Sequence, residues 1–215
     1  MRAMKKYESP WSFLPSNPII QPGALNPPWD ARRAGAAHVL TEADNFRMYY
    51  WGTDPAGQHW ICTAVASRER PEEWHGTGVA LGPQTETVYN DIRWTKPLPA
   101  PVVQPRGLAV EPFEYICSKP FILRRSGGKG YWLWVNTFGT AYRVHRLWSR
   151  DGLQWEWLPR LGPDGELGVG SKGAFDDVQR SYPCFVEEGT EWLCWYTGNG
   201  FGTNGMGLAR KPAEP

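Results

Sequence analysis

A pattern of short strands that occurs three times along the chain constrains the fold more than any other feature. Each copy has a short apolar segment, a polar turn, an aromatic segment and a third strand. The apolar segments span residues 37–40, 120–123 and 181–186, and the aromatic segments span 46–52, 131–136 and 191–197. Short aromatic segments bounded by Gly and Asn are typical of β-strands. The sequence therefore predicts a repeated β-sheet unit.

A tryptophan marks a fourth strand in the first two copies. Trp74 follows a charged turn, and Trp155 follows the turn formed by residues 149–152. A repeated unit of four antiparallel strands is typical of a β-propeller blade. We therefore predict an all-β fold with three clear four-stranded antiparallel blades. They form a small or incomplete propeller in a single domain spanning residues 1–215.

Two segments outside the three copies have open interpretations. The N-terminal segment 8–15 has the Trp and Leu-Pro form of residues 155–159. Pairing with the strand around Met206 completes the last blade and covers an open sheet edge; the alternative is an ordered extension without such a role. Residues 81–115 form either a degenerate fourth blade or a long loop.

Composition restricts the partners. The 23 Lys and Arg residues balance 22 Asp and Glu residues, which argues against nucleic-acid and anionic-membrane partners. The first ten residues lack the apolar segment of a signal peptide, so we expect a cytoplasmic protein. The expected partner is a small-molecule or sugar ligand. A homodimer, in which a second copy completes a partial propeller, is a further prediction.

The cysteines do not indicate a metal site. The spacing of Cys62, Cys117, Cys184 and Cys194 contains no CxxC motif and no matching His pattern. We therefore predict no metal and no cofactor. Cys184 and Cys194 either face each other on neighbouring strands or are free buried thiols, which are more usual in a cytosolic protein.

An aromatic-acidic pair precedes each predicted inner strand. Asp30 follows Trp29, Glu114 follows Phe113, and Asp176 follows Phe175. Approximate rotational symmetry would gather the three acids around one axis. Carboxylates in contrasting environments can act as acid and base, so Asp30, Glu114 and Asp176 are the predicted catalytic residues. The alternative is that each acid accepts backbone N–H groups and stabilises a turn.

Six further residues are predicted to bind substrate. Arg180 and Asp177 are near Asp176, and Arg180 either clamps a carboxylate or forms an ordinary ion pair. His38 begins an inner strand and either faces the channel or is a satisfied core residue. Most of the 13 tryptophans are expected in the blade core, but three are candidates for stacking on a flat ligand: Trp29, Trp51 and Trp94.

The chain resembles the five-bladed β-propeller glycoside hydrolases of families 43, 32 and 62. The resemblance rests on NPIIQPGALNPPWD, FRMYYWG, WSRDGLQW and the last segment, residues 175–210, and it covers most of the chain. It implies a hydrolase that acts on a carbohydrate. Such enzymes usually place a catalytic Asp before a Pro at the start of an inner strand; the matching residues here are Ala36, Lys119 and Tyr182.

Three functions follow from these observations. The first is glycoside hydrolysis by paired carboxylates. The second is a non-hydrolytic propeller enzyme or binding protein for a small molecule in a biosynthetic pathway. The third is a lectin-like sugar-binding module. Two carboxyl groups about 5–10 Å apart across a pocket would favour the first, while the absence of Asp at the matching positions favours the other two.

Overall fold

The strands form three separate four-stranded antiparallel sheets. The computed structural model describes residues 11–83, 98–107, 114–125, 130–158 and 165–213. The described residues contain twelve β-strands and one short helical turn, α1 (Asn199–Gly202). Each sheet has the strand order of a propeller blade, which confirms the predicted fold class.

Blades 1 and 2 are consecutive four-stranded meanders. Blade 1 consists of β2 (Arg33–Thr41), β3 (Asn45–Thr53), β4 (His59–Ser67) and β5 (His75–Leu81). Blade 2 consists of β6 (Ile116–Arg124), β7 (Tyr131–Phe138), β8 (Tyr142–Ser149) and β9 (Glu156–Trp157). In both blades the strands pair in chain order, so β2 and β6 are the first strands of their sheets.

Blade 3 combines the two ends of the described chain. It consists of β10 (Ser181–Glu188), β11 (Glu191–Thr197), β12 (Met206–Pro212) and β1 (Ser12–Phe13). The N-terminal strand β1 lies beside β12, with Ser12 opposite Arg210. This edge of β12 therefore has a partner strand.

The fourth strands of blades 1 and 2 begin directly after the predicted tryptophans. β5 starts after Trp74, and β9 starts after Trp155. The Trp74 indole N–H donates a 2.9 Å hydrogen bond to the carbonyl of Pro71, and that of Trp155 donates a 3.1 Å bond to the carbonyl of Gly152. Each tryptophan thus closes the turn that precedes its strand.

The Ser-x-Asp-Gly segment of blade 2 also has a role in turn formation. The Asp151 carboxylate accepts backbone hydrogen bonds of 2.8 and 2.9 Å from Leu153 and Gln154. The backbone bonds from Gln154 and Leu153 lower the pKa of Asp151. Gly152 adopts a φ of 80°, a left-handed conformation that favours glycine.

Blade 3 lies between the other two blades, because β10 packs against both β2 and β6. At the interface with blade 1, Trp195 contacts Phe46 and Trp74, with ring centroids 5.4 and 5.8 Å apart. At the interface with blade 2, Trp134 stacks on Phe185 at 4.1 Å. The strand register places Trp134 and Trp195 at the position of Tyr49, and both tryptophans are buried.

The segment between blades 1 and 2 is described only in part. Residues 98–107 contain no strand, and Gly107 forms a single β-bridge with Glu114. Residues 84–97 and 108–113, which belong to the segment predicted as a degenerate fourth blade or a long loop, lie outside the described residues. No helix within the described part of the chain is long and apolar enough to cross a membrane. The homodimer stays a prediction.

Candidate functional site

The same backbone irregularity occurs near the start of each inner strand. In β2, the pairing passes from Gly35 opposite Trp51 to His38 opposite Tyr49, which leaves two residues of β2 against one of β3. β6 has the same shift between Ser118 and Phe121, and β10 has it between Ser181 and Cys184. Such β-bulges redirect side chains and are frequent beside active sites.

The first residue of each bulge is in the left-handed region. The φ values are 53° for Ala36, 54° for Lys119 and 50° for Tyr182. Left-handed conformations are unfavourable for residues with a Cβ atom, and such strain persists where the surrounding structure enforces it, often at functional sites. These are the three positions that the resemblance matches to a catalytic Asp and at which this chain has Ala, Lys and Tyr.

Hydrogen bonds between blades hold two of these residues. The Ala36 N–H donates a 2.8 Å bond to Oγ1 of Thr197, and the Tyr182 N–H donates a 3.1 Å bond to Oδ1 of Asn136. Thr197 and Asn136 have the same register position in β11 and β7, so the two interfaces use one arrangement. The equivalent residue of blade 1 is Trp51, whose indole has no acceptor atom.

A small cavity lies where the three bulges meet. Its lining consists of Ala36–His38, Lys119–Phe121, Tyr182 and Pro183, and its volume is about 190 Å³. We call it the axial cavity. Pockets for drug-sized ligands usually measure roughly 300–1,000 Å³, so this cavity suits a ligand of about one ring. No Asp or Glu belongs to its lining among the described residues.

Lys119 has an unusual environment at this cavity. Its Nζ is enclosed and has no hydrogen-bond acceptor among the described residues. It lies 4.1 Å from the ring centroid of Tyr182, 4.2 Å from that of Tyr142 and 4.5 Å from that of Phe201. Burial lowers the pKa of Lys119 to about 8. Burial also raises the pKa of the Tyr182 phenol.

A second, larger cavity of about 370 Å³ shares two residues with the axial cavity. His38 and Phe121 line both, and the second cavity continues along β2, β6 and β10. His38 is exposed, with its ring 6.3 Å from that of Phe121. The structure thus places His38 at the cavities, and the alternative of a buried core histidine is wrong.

Asp30 lies inside blade 1 and is fully buried. Its Oδ2 accepts a 2.7 Å hydrogen bond from the Tyr50 hydroxyl and a 3.0 Å bond from the Asn26 N–H. Burial raises the pKa of the Tyr50 phenol, which therefore stays a neutral donor. Asp30 thus fixes the connection before β2 to the aromatic strand β3.

Asp176 has the corresponding position in blade 3. Its Oδ2 accepts bonds of 2.7 Å from Nε of Arg180 and 2.9 Å from the hydroxyl of Tyr196. Tyr196 and Tyr50 have the same register position in β11 and β3. Arg180 is buried, donates a 2.5 Å bond to the carbonyl of Leu167 and lies 3.7 Å from the ring centroid of Phe13.

Glu114 has different partners in blade 2, because Val135 replaces the tyrosine at the equivalent position. Arg106 binds both carboxylate oxygens at 2.6 and 2.8 Å, and the Thr137 hydroxyl donates a 2.7 Å bond. His145 Nε2 lies 3.2 Å from Oε1. Burial opposes ionisation, but the bonds from His145, Arg106 and Thr137 outweigh it and lower the pKa of Glu114 to about 2.

The three predicted catalytic acids thus lie in separate networks, and none of them belongs to the axial cavity lining. Asp30 accepts a backbone N–H, as the turn-stabilising alternative expects, whereas Asp176 and Glu114 are bound by side chains. Their catalytic role stays a prediction. Asp177 also contributes to a turn, since it accepts hydrogen bonds from the Gly173 N–H at 2.7 Å and the Asn199 amide at 2.8 Å.

The predicted stacking tryptophans are away from both described cavities. Trp29 packs against Trp60, with ring centroids 6.3 Å apart, and Trp51 packs against His59 at 5.0 Å. Neither lines the axial cavity or the second cavity. Trp94 lies outside the described residues.

The cysteines are free thiols. Cys62, Cys184 and Cys194 are buried and Cys117 is half-buried. Burial raises the pKa of each thiol. No group of three His, Cys, Asp or Glu side chains suited to a metal ion occurs in the part of the chain that the structure describes.

Sequence reasoning missed Lys119 and Tyr182 as candidate site residues. The available signal was the Pro that follows each of them at the start of an inner strand, Pro120 and Pro183. The resemblance drew attention to these positions only because they lack an Asp. The left-handed φ values of both residues and the aromatic rings around Lys119 arise only in the folded structure, so the sequence does not show them.

Comparisons with known proteins give the chain distant relatives. No protein-family profile matches it. It is 24% identical over 212 residues to an uncharacterized protein of Mycobacterium tuberculosis strain H37Rv, and equally to one of strain CDC 1551. Each alignment covers 93% of this chain and 62% of the relative, so the chain spans less than two thirds of their length.

Similar solved structures include glycoside hydrolases. A thermostable family-43 glycoside hydrolase has a TM-score of 0.35 at 14% identity, with 80% of this chain and 47% of the other covered. An exo-1,5-α-L-arabinanase from a bovine ruminal metagenomic library has a TM-score of 0.37 at 14% identity. That match covers 86% of this chain and 75% of the arabinanase chain. A GH43 protein from Bacillus licheniformis has a TM-score of 0.40 at 14% identity. That match covers 86% of this chain and 42% of the other chain. Likenesses this weak carry no argument about chemistry.

Proposed function

We propose that the protein is a non-hydrolytic propeller protein that binds a small carbohydrate-like ligand in the axial cavity. The observation that carries the proposal is the meeting of three left-handed residues at one cavity of about 190 Å³. Strained backbone and β-bulges are frequent at binding and catalytic sites. Concave sites that combine apolar walls with a few polar groups are the usual places for small ligands.

The lining of the cavity suits a ligand with one apolar face and several polar groups. Phe121 and Tyr182 offer ring surface, and Pro120 and Pro183 add rigid apolar walls. Polar groups come from Lys119 and from the exposed ring of His38. A sugar ring combines a hydrophobic face with hydroxyl groups, so it is the ligand class that we propose. The resemblance to glycoside hydrolases supports this class by association only.

The described lining of the axial cavity contains no carboxylate, which favours binding over hydrolysis. Most glycosidases use two carboxyl groups on either side of the scissile bond, and the general acid has a raised pKa. Glu114 instead has a pKa lowered to about 2 and is saturated with donors. Asp176 is similarly engaged by Arg180 and Tyr196. An ionised Glu114 lacks a proton to donate.

Two assays test the proposal. Calorimetric titration with a panel of monosaccharides should detect binding, and Ala36→Phe, which narrows the cavity, should weaken it at least tenfold. Ala43→Trp, at an exposed position, is the control and should leave the affinity unchanged. Release of p-nitrophenol from aryl glycosides should stay at the buffer rate. Turnover that is lost in Asp30→Asn, Glu114→Gln or Asp176→Asn would favour hydrolysis instead.

A further inference from the structure

We propose that the ligand of the axial cavity is a sugar acid, whose carboxylate pairs with the Lys119 ammonium. This inference rests on the proposed function and narrows the ligand class within it. Lys119 is the only Lys, Arg, Asp or Glu in the described lining of the cavity. The lining therefore offers a positive charge without a protein carboxylate to balance it.

The Lys119 ammonium lacks the partners that a buried cation normally has. An ammonium has three N–H donors, and Nζ of Lys119 reaches no acceptor among the described residues. The faces of three aromatic rings, at 4.1 to 4.5 Å, attract the charge but cannot replace a carboxylate. Charged groups this enclosed are usually paired. A ligand carboxylate would supply the missing partner.

The geometry links this ammonium to the cavity through Tyr182. The Tyr182 ring contacts Nζ of Lys119, and Tyr182 also lines the cavity. Both residues are held at left-handed φ values in bulges of adjacent blades, so their positions relative to one another are set by the backbone. Because Nζ itself is enclosed, an anion in the cavity pairs with the ammonium when the Lys119 side chain turns toward the cavity that this residue lines. Burial strengthens electrostatic attraction in such a region.

The titratable groups that face Lys119 are few. They are the phenols of Tyr142 on β8 and Tyr182 on β10, while α1 contributes the uncharged ring of Phe201. His38 on β2 lies across the same cavity. Since burial lowers the pKa of Lys119 to about 8, the free protein at pH 8 carries a partly deprotonated amine. Pairing with a carboxylate raises that pKa, so binding at pH 8 takes up protons.

Matched sugars test the inference. D-Glucuronate against D-glucose and D-galacturonate against D-galactose are titrated by calorimetry, because each pair differs in a carboxylate. At least one acid should bind tenfold or more tightly than its neutral counterpart. Lys119→Met should remove that preference, whereas Lys172→Met, which removes an exposed charge, should keep it.

Proton uptake gives a second readout that needs only the wild-type protein. Titration at pH 8 in buffers of different ionisation enthalpy should reveal uptake of a fraction of a proton with the acid. The uptake should fall as the pH is lowered to 6.5, because Lys119, with a pKa of about 8, is by then almost fully protonated in the free protein. Absence of uptake at pH 8, or uptake that grows toward pH 6.5, overturns the assignment even if Lys119→Met does not fold.

The remaining outcomes separate the inference from the proposed function. Equal affinity for acids and neutral sugars, or unchanged affinity in Lys119→Met, overturns the role of Lys119. If Ala36→Phe still weakens the binding, the axial cavity remains the sugar site. Binding by none of the four sugars overturns both proposals.

Discussion

The N–H of Ala36 in blade 1 donates a 2.8 Å hydrogen bond to Oγ1 of Thr197 in blade 3. The acceptor belongs to a side chain and the donor to a backbone in the left-handed region. One hydroxyl therefore joins two blades and stabilises an unfavourable conformation beside the axial cavity.

Replacement of Thr197 by Val should destabilise the protein. The isosteric side chain keeps the packing but leaves the half-buried Ala36 N–H without its acceptor. A fully buried donor that loses its acceptor costs about 1–3 kcal/mol, which is the upper range for this change. Thermal unfolding followed by circular dichroism should show a melting temperature several degrees lower. Thr190→Val at an exposed position is the control. An unchanged melting temperature in Thr197→Val would contradict the role of this bond.

Glu114 should make the acid stability of the protein depend on pH in a defined window. Its folded pKa of about 2 lies below the ordinary value of 4.5. Its contribution to stability is therefore complete above about pH 4.5 and is lost as the pH falls toward 2. Glu114→Gln should be less stable than wild type at pH 7, and the difference in unfolding free energy should shrink across that window.

Urea unfolding at several pH values measures this effect. Glu69→Gln, at an exposed position, provides the control and should keep the same difference from wild type at every pH. A difference between Glu114→Gln and wild type that does not change from pH 5 to pH 2.5 would show that the surrounding donors do not lower this pKa.

Asp176→Asn should unfold more easily while retaining ligand affinity. The change leaves the buried Arg180 guanidinium without its carboxylate, and breaking a buried ion pair in this way costs about 3–5 kcal/mol. Urea unfolding and calorimetric titration of the same preparation separate the two effects. Normal stability combined with lost binding would instead support the predicted catalytic role of Asp176.

Lys119→Met should have the opposite effect to Asp176→Asn, because it should keep the stability and lose the ligand affinity. Methionine has a similar length and fits among aromatic rings, and it removes a cation that burial disfavours. We expect a melting temperature no lower than that of wild type, together with the loss of sugar-acid binding. A large fall in melting temperature would indicate that Lys119 is a structural residue.

Local patterns were sufficient to predict the sheets. The aromatic segments at 46–52, 131–136 and 191–197 all lie within central strands of blades, because half-buried strands favour such residues. The pairing of the N-terminal segment with the last strand is present, with Phe13 opposite Ala209. That prediction was possible because the third copy of the repeat lacks a fourth strand of its own, and the N-terminal segment resembles the one missing.

The site was harder to predict because its chemistry depends on contacts distant in sequence. The aromatic-acidic pairs were correctly recognised as a repeat, yet Asp30 and Asp176 face inward to Tyr50 and Tyr196. Sequence spacing cannot distinguish a carboxylate turned toward its own blade from one turned toward the axis. Pro120 marks the position of Lys119 in the sequence, but nothing local indicates its aromatic neighbours, which come from β8, β10 and α1.

The pairing of β1 with β12 has a consequence for the order of folding. Blade 3 is complete only when Ser12 meets Arg210, a contact between segments far apart in the sequence. Blades 1 and 2 contain only pairings between consecutive strands, so they can form earlier. Trp11 and Phe13 therefore stay uncovered until this late contact forms, and a chain in which only blades 1 and 2 have folded should expose both aromatic rings.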